Sequence, residues 1–95
     1  MSIKILIADD QRLFRQGLRS LLEQEKDLVV VGEAADGQDA FILVQETKPD
    51  IILMDVEMPK LDGIHAARLI LERYPDIRIL ILSVHNEDER VISAI

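Results

Sequence analysis

The run IKILIADD occupies residues 3–10 and joins six strand-forming positions to two acids. Isoleucine fills every second position from Ile3 to Ile7, and the apolar run stops abruptly at Asp9 and Asp10. A short β-branched run bounded in this way is typical of a buried strand. We therefore predict a strand over residues 3–8 whose carboxyl end carries two carboxylates.

Three more apolar runs follow at residues 28–34, 51–54 and 77–83, and longer amphipathic segments separate them. Apolar residues at spacings of three and four predict a helix over 13–22, a second that begins at Asp36-Gly37 and ends at Thr47, and a third that begins at Asp62-Gly63 and ends before Tyr74. The two aspartates suit helix N-caps. Residues 85–90 are expected to form a loop that leads into a fourth helix.

Alternating strands and helices predict an α/β fold with a doubly wound, open parallel sheet. The strands are apolar almost throughout, which indicates that helices cover both faces of the sheet. Right-handed crossovers leave few topologies, and the expected strand order is 2-1-3-4. In that order the first and third strands are neighbours at the point where the winding reverses.

Composition limits the classes of function. The 95 residues make about one small domain, and a hydrophobic fraction of 48% is enough to bury a core. The chain has no cysteine, which excludes disulfides and thiolate metal sites. No apolar run is long enough for a membrane span, and the start lacks the apolar core of a signal peptide. A net charge of −7 favours a cation or a basic partner over nucleic acid.

Acidic residues end two of the predicted strands: Asp9 and Asp10 follow the first, and Asp55 follows the third. In open α/β sheets the ligand crevice lies at the carboxyl ends of the strands, where the strand order reverses. Clustered carboxylates repel, and hard oxygen ligands suit Mg²⁺ or Mn²⁺. This pattern favours phosphoryl chemistry with a carboxylate nucleophile. The alternative is structural, with Asp9 or Asp10 capping the first helix and Asp55 as an ordinary loop acid.

Other residues near these strand ends are weaker candidates for a functional role. Ser83 is placed where its hydroxyl could donate to a phosphoryl oxygen on Asp55, although a strand-end serine is more often a turn former. Met58, Pro59 and Gly63 are expected to shape the loop over the site, with Gly63 allowing a conformation that a Cβ would forbid.

The histidines and the arginines of the first predicted helix are interpreted as solvated or structural residues. His85 is interpreted as a solvated loop residue rather than a ligand, and His65 suggests no chemistry. Arg12, Arg15 and Arg19 are most simply the solvated face of the first helix, with an acidic partner as the alternative.

Taken together, these motifs resemble the receiver domain of two-component response regulators. The resemblance covers nearly the whole chain and rests on four pieces: residues 5–10, Asp55 with Met58-Pro59, Asp62-Gly63, and residues 80–83. The amino-acid sequence of residues 8–11 and 55–59 is most similar to that of the LuxR-type (NarL/FixJ) transcriptional branch. The resemblance implies the flavodoxin-like (CheY-like) fold and a cytoplasmic protein that acts as a signalling switch rather than as a turnover enzyme.

The resemblance also implies roles for individual residues. Asp55 would accept a phosphoryl group from the phosphohistidine of a sensor histidine kinase. Asp9 and Asp10 would hold Mg²⁺, or Mn²⁺, together with Asp55 and the backbone carbonyl of Glu57. Mg²⁺ would offset the charge of about −2 that the phosphoryl group adds.

A switch and a lifetime control are implied as well. Ser83 would move toward the phosphoryl oxygens and repack the fourth strand and helix, the surface used for dimerisation or output. Glu57 and His85 occupy variable positions that tune how long the phosphoryl group survives.

One departure from the family pattern is expected to matter. Receivers have five strands and five helices, and residues 1–95 stop within the predicted fourth helix. The fifth strand with its phosphoryl-pairing lysine, the fifth helix and any DNA-binding domain are missing, and neither Lys48 nor Lys60 matches that lysine. An apolar, unpaired fourth strand would favour dimers, domain swapping or aggregation. Phosphorylation is expected to be poor, and binding of nucleic acid or membrane is not expected.

Two other hypotheses stay open at this point. One is a Mg²⁺-dependent phosphohydrolase with an aspartyl nucleophile, of the haloacid-dehalogenase type. Those enzymes place Asp-x-Asp after the first strand, whereas here Asp9 and Asp10 are adjacent. The other is an inactive structural fragment of a receiver, with an acidic pocket that is never phosphorylated.

Overall fold

The computed structural model describes residues 2–58, 60–86 and 89–94, with side chains as far as Leu82. In chain order the elements are β1 (Ile3–Ala8), α1 (Arg12–Leu22), β2 (Leu28–Ala34), α2 (Gly37–Thr47), β3 (Ile51–Asp55), α3 (Gly63–Arg73), β4 (Arg78–Asn86) and β5 (Glu89–Ala94). Each described helix has 11 residues, and none is long and apolar enough to cross a bilayer.

Four of the five strands of the sheet are parallel and lie in the order β2-β1-β3-β4, which confirms the predicted order 2-1-3-4. β1 lies between β2 and β3, and Ala8 is aligned with both Ala34 and Met54. The carboxyl ends of these three strands therefore meet at one edge of the sheet. The acids that follow β1 and end β3 are neighbours because of this register.

Helices cover both faces of the sheet, as the apolar strands predict. On one face α2 and α3 bury a cluster of fully enclosed side chains that includes Leu6, Ile52, Met54 and Ile70. On the other face α1 packs Phe14, Leu18 and Leu22 against Ile5, Ile7 and Leu53. Each buried aliphatic side chain contributes roughly 1.5–3 kcal/mol of transfer free energy. The two clusters pack against β1 and β3 from both faces of the sheet.

The prediction of a fourth helix is wrong. Residues 89–94 form β5, which runs antiparallel to β4 and aligns Ile92 with Leu82. β4 continues to Asn86, so Ser83 and His85 lie within a strand rather than at a strand end or in a loop. An unpaired β4 would leave its backbone groups without partners, and β-branched residues such as Val91 favour a strand there. The expected bare edge of β4 is thus covered by the chain itself, and self-association stays a prediction.

The arginine row of α1 is not simply a solvated face. Arg15 Nε donates to Glu33 Oε1 at 3.1 Å, and Arg19 donates to Glu33 Oε2 at 2.8 Å. Glu33 belongs to β2, so one carboxylate holds two arginines of α1 against the sheet. Arg19 also pairs with Glu23 one turn along the helix at 3.3 Å. Arg12 is exposed, as predicted.

Acid is expected to weaken this attachment of α1. The hydrogen bond from Arg19, followed by that from Arg15, holds the pKa of Glu33 below its ordinary value of 4.5. A lowered folded-state pKa stabilises the fold above the unfolded pKa, and that contribution disappears as the pH falls through the folded value. Thermal melts of the native chain and of Glu33→Gln should therefore differ most near neutral pH and converge as the pH falls below 4.5. A constant difference down to about pH 3 would contradict the linkage.

Candidate functional site

Three carboxylates meet at the carboxyl edge of the sheet. Asp9 and Asp10 follow β1, Asp55 ends β3, and one oxygen from each lies within 4.8 Å of the others. The pairing of β1 with β3 brings them together although they are far apart in the sequence. The predicted acidic cluster is therefore present in the fold, while the roles proposed for its members stay predictions.

Burial makes this cluster of negative charges energetically unfavourable. Asp9 is fully buried and Asp55 is only 5% exposed, whereas Asp10 lies at the surface. Two unit charges about 4 Å apart repel by about 4 kcal/mol at an effective dielectric constant of ~20. Of the three carboxylates, Asp10 is the one that is exposed to solvent. Such a group of hard oxygens fits a small divalent cation, with Mg²⁺ or Mn²⁺ matching the donor type.

Helix capping does not account for the two acids after β1. The N-cap of α1 is Gln11, and no side chain caps that position. Asp9 Oδ1 instead accepts a hydrogen bond from the Gln11 backbone N–H at 2.9 Å. This contact fixes the orientation of the Asp9 carboxylate in the tight turn between β1 and α1.

A cleft of about 640 Å³ lies beside the cluster, between the turn after β1 and the loop after β3. Asp10, Glu57, Met58, Asp62 and His65 are among its lining residues. The cleft leaves space for a phosphoryl group next to Asp10. Met58, within this loop, is buried, and its role in shaping the loop stays a prediction.

The start of α3 forms one wall of the cleft. Asp62 is the N-cap and accepts from the His65 backbone N–H at 2.9 Å, while its second oxygen lies 2.7 Å from His65 Nδ1. The backbone hydrogen bond, followed by the side-chain one, holds the pKa of Asp62 below its ordinary value of 3.8. The predicted capping role of Asp62 is confirmed, and His65 has a structural partner that the sequence did not indicate.

Gly63 is required at the start of α3 by a close approach rather than by an unusual backbone conformation. Its φ is not positive, but a Cβ at this position would lie 1.9 Å from the backbone oxygen of Asp55. Gly63 also donates its backbone N–H to the Val56 carbonyl at 2.9 Å. The helix start therefore rests directly on the backbone of Asp55.

Gly37 plays a matching part at the start of α2, which sequence patterns did not indicate. A Cβ there would lie 2.0 Å from the backbone oxygen of Leu61. The neighbouring N-cap, Asp36, accepts from the Asp39 N–H at 2.7 Å and lies 3.6 Å from Lys60 Nζ. Lys60 has a φ of 68°, so the loop turns sharply there. The start of α2 thus holds the loop after β3 in place.

The remaining predicted site residues are described only in part. Glu57 is exposed at the cleft, and its side chain makes no hydrogen bond recorded among the described residues. Ser83 directly follows Leu82, which is aligned with Asp55, so its backbone is one residue beyond the phosphoacceptor candidate. The side chains of Ser83 and His85, and all of Pro59, lie outside the described residues.

Comparisons with known proteins agree with this geometry. The family model of the response regulator receiver domain matches residues 5–95. Among curated proteins, the transcriptional regulatory protein DegU of Brevibacillus brevis is 44% identical over 89 residues, and the response regulator protein VraR of Staphylococcus aureus is 41% identical over 95 residues. These matches cover 94% and 100% of the chain but only 38% and 46% of the relatives. The chain thus spans less than half the length of these two regulators.

Solved structures give the same picture. The response regulator domain of Thermotoga maritima CheB superposes with a TM-score of 0.85 at 39% identity, covering 93% of the chain and 65% of that structure. A LuxR-family two-component response regulator from Aurantimonas sp. SI85-9A1 gives a TM-score of 0.84 at 40% identity, covering 90% and 61%.

Proposed function

Because the chain belongs to the response regulator receiver domain family, we propose that it is a phosphoacceptor module of a two-component system, switched by phosphorylation of Asp55. The observation that carries this proposal is the cluster of three carboxylates within 4.8 Å at the carboxyl ends of two adjacent strands. A histidine kinase would supply the phosphoryl group from its phosphohistidine.

The residues of the site would have different roles in phosphoryl transfer. A carboxylate oxygen of Asp55 attacks phosphorus as the bond to the donor histidine nitrogen breaks, and the donor keeps the bonding electron pair. Asp9, Asp10, Asp55 and the backbone carbonyl of Glu57 would hold Mg²⁺ or Mn²⁺. When bound, the cation supplies positive charge that offsets the roughly −2 of the phosphoryl group. Met58, Pro59 and Gly63 would shape the loop after β3.

Phosphorylation would change a binding surface rather than begin a catalytic cycle. Ser83 would hydrogen-bond to the new phosphoryl oxygens, which draws β4 toward Asp55. Glu57 and His85 would tune how long the phosphoryl group survives. The relatives named above are a transcriptional regulatory protein and a response regulator. We therefore propose that the full-length protein is a bacterial, cytoplasmic regulator of transcription.

Intact mass after incubation with Mg²⁺ and acetyl phosphate tests this proposal. Because phosphorylation of residues 1–95 is expected to be poor, we expect a gain of one phosphoryl group on part of the protein, which disappears in Asp55→Ala and in excess EDTA. Asp76→Asn serves as a matched control, because Asp76 is an exposed acid just before β4, at the opposite end of the sheet. No gain in the native chain, or a gain that persists in Asp55→Ala, would contradict the proposal. Steady release of phosphate from a small phosphomonoester would support a phosphohydrolase instead.

A further inference from the structure

Arg15 connects the acidic cluster to the neighbouring strand. Its guanidinium donates from one Nη to the backbone carbonyl of Asp9 at 2.6 Å and from Nε to Glu33 Oε1 at 3.1 Å. The Arg15 side chain is only 14% exposed. Arg19 donates to the other oxygen of Glu33 at 2.8 Å.

We propose that Arg15, held by Glu33, is a positioning residue that fixes Asp9 for cation binding. The inference rests on the proposed function, since it assumes that Asp9 holds Mg²⁺. It assigns to Arg15 an effect on the cation site through its hydrogen bond to the backbone carbonyl of Asp9.

Hydrogen bonds fix Asp9 at three points. Its backbone N–H donates to the Ala34 carbonyl at 2.9 Å, its Oδ1 accepts from Gln11 N–H, and its carbonyl accepts from Arg15. Asp9 directly follows β1, and its backbone N–H continues the pairing with β2. Because Asp9 is fully buried, its carbonyl needs a protein donor, and Arg15 provides one.

The shape of the guanidinium explains why this position suits arginine. Its planar fork presents several N–H donors in a fixed geometry, so one side chain can bond to the Asp9 carbonyl and to Glu33 at the same time. A lysine ammonium is a single point on a flexible stem and would hold the two acceptors with less precision. A positive charge at position 15 should therefore not be sufficient to replace the function of Arg15.

Calorimetric titration with Mg²⁺ alone tests the effect on the cation site. Arg15→Gln is expected to weaken Mg²⁺ binding by about tenfold, the lower end of the loss seen when residues behind metal ligands are changed. Arg15→Lys should also lose affinity, while it keeps the charge and most of the packing. Arg19→Gln breaks the other bond to Glu33, and Arg12→Gln removes an exposed charge from the same helix. Both controls should retain native affinity.

Amide hydrogen exchange in EDTA gives a second measurement that does not depend on the metal. Loss of the Arg15 contact should speed exchange of the Gln11 N–H, which donates to Asp9 Oδ1, by about tenfold. Arg19→Gln should leave that amide protected. Far-ultraviolet circular dichroism and thermal melts establish that each variant is folded.

The outcomes separate this inference from the proposed function. If the native chain binds Mg²⁺ and both Arg15 variants bind it equally well, positioning by Arg15 is overturned and the proposed function stands. If the native chain binds no divalent cation, the proposed cation site fails, and the exchange of Gln11 alone decides whether Arg15 orders Asp9. Equal losses in Arg19→Gln and Arg15→Gln would reduce Arg15 to a general stabiliser of α1 and overturn the inference.

Discussion

Replacing Gly63 by alanine is expected to lower the free energy of unfolding by about 3 kcal/mol, the upper part of the range for overpacking a rigid site. The added Cβ would lie 1.9 Å from the Asp55 oxygen, 2.8 Å from its carbonyl carbon and 3.0 Å from Val56 Cα. All three atoms are backbone, so no flexible side chain can give way. Either α3 must shift outward or the backbone of Asp55 must move, and both changes disturb the acidic cluster.

Gly17→Ala is the matched control for this prediction. Gly17 lies inside α1, and an added Cβ would meet nothing within 4 Å. Because glycine is unfavourable inside a helix, alanine there should raise stability by about 0.5–1 kcal/mol. Urea denaturation of the two variants measures both effects. A Gly63→Ala protein as stable as the native chain would show that α3 does not need this close contact.

Local sequence patterns predict the ends of β1 and β3 and the starts of α2 and α3 well. The run that ends at Asp9 predicts β1, and Asp36 and Asp62 are confirmed as N-caps by their hydrogen bonds. These features depend on residues only a few positions apart, where propensity and side-chain hydrogen bonding act directly. The meeting of Asp9, Asp10 and Asp55 also follows, because a parallel sheet of known order brings specific strand ends together.

Contacts between distant segments are what the patterns missed. Nothing local indicates that Arg15 contacts Glu33, 18 residues away, since an arginine on a helix normally faces solvent. The need for glycine at position 63 similarly depends on where the Asp55 backbone lies, which only the folded chain defines. Residues 89–94 form β5 for the same reason, because the edge of β4 offers hydrogen-bond partners that a helix would leave unused.

Replacing Asp10 by asparagine is expected to stabilise the protein without Mg²⁺ and to abolish its response to Mg²⁺. Asp10 is the exposed member of the cluster, so the change removes one charge and leaves the bond between Asp9 and Gln11 intact. Repulsion of about 4 kcal/mol at 4 Å is strongly screened at an exposed carboxylate, and we expect a gain of roughly 1 kcal/mol in EDTA. The same substitution removes a proposed cation ligand.

Saturating Mg²⁺ supplies the larger effect in this comparison. A ligand present at about 100 times its Kd stabilises the folded state by about 2.7 kcal/mol, and Asp10→Asn should lose that gain. Asp76→Asn removes the same charge at the far end of the sheet and should keep the full response. Urea denaturation at neutral pH should therefore show Asp10→Asn to be more stable than the native chain in EDTA and less stable than it in Mg²⁺. If Asp10→Asn loses stability in EDTA, the carboxylates do not repel as their spacing requires; if it still gains stability with Mg²⁺, Asp10 does not hold the cation.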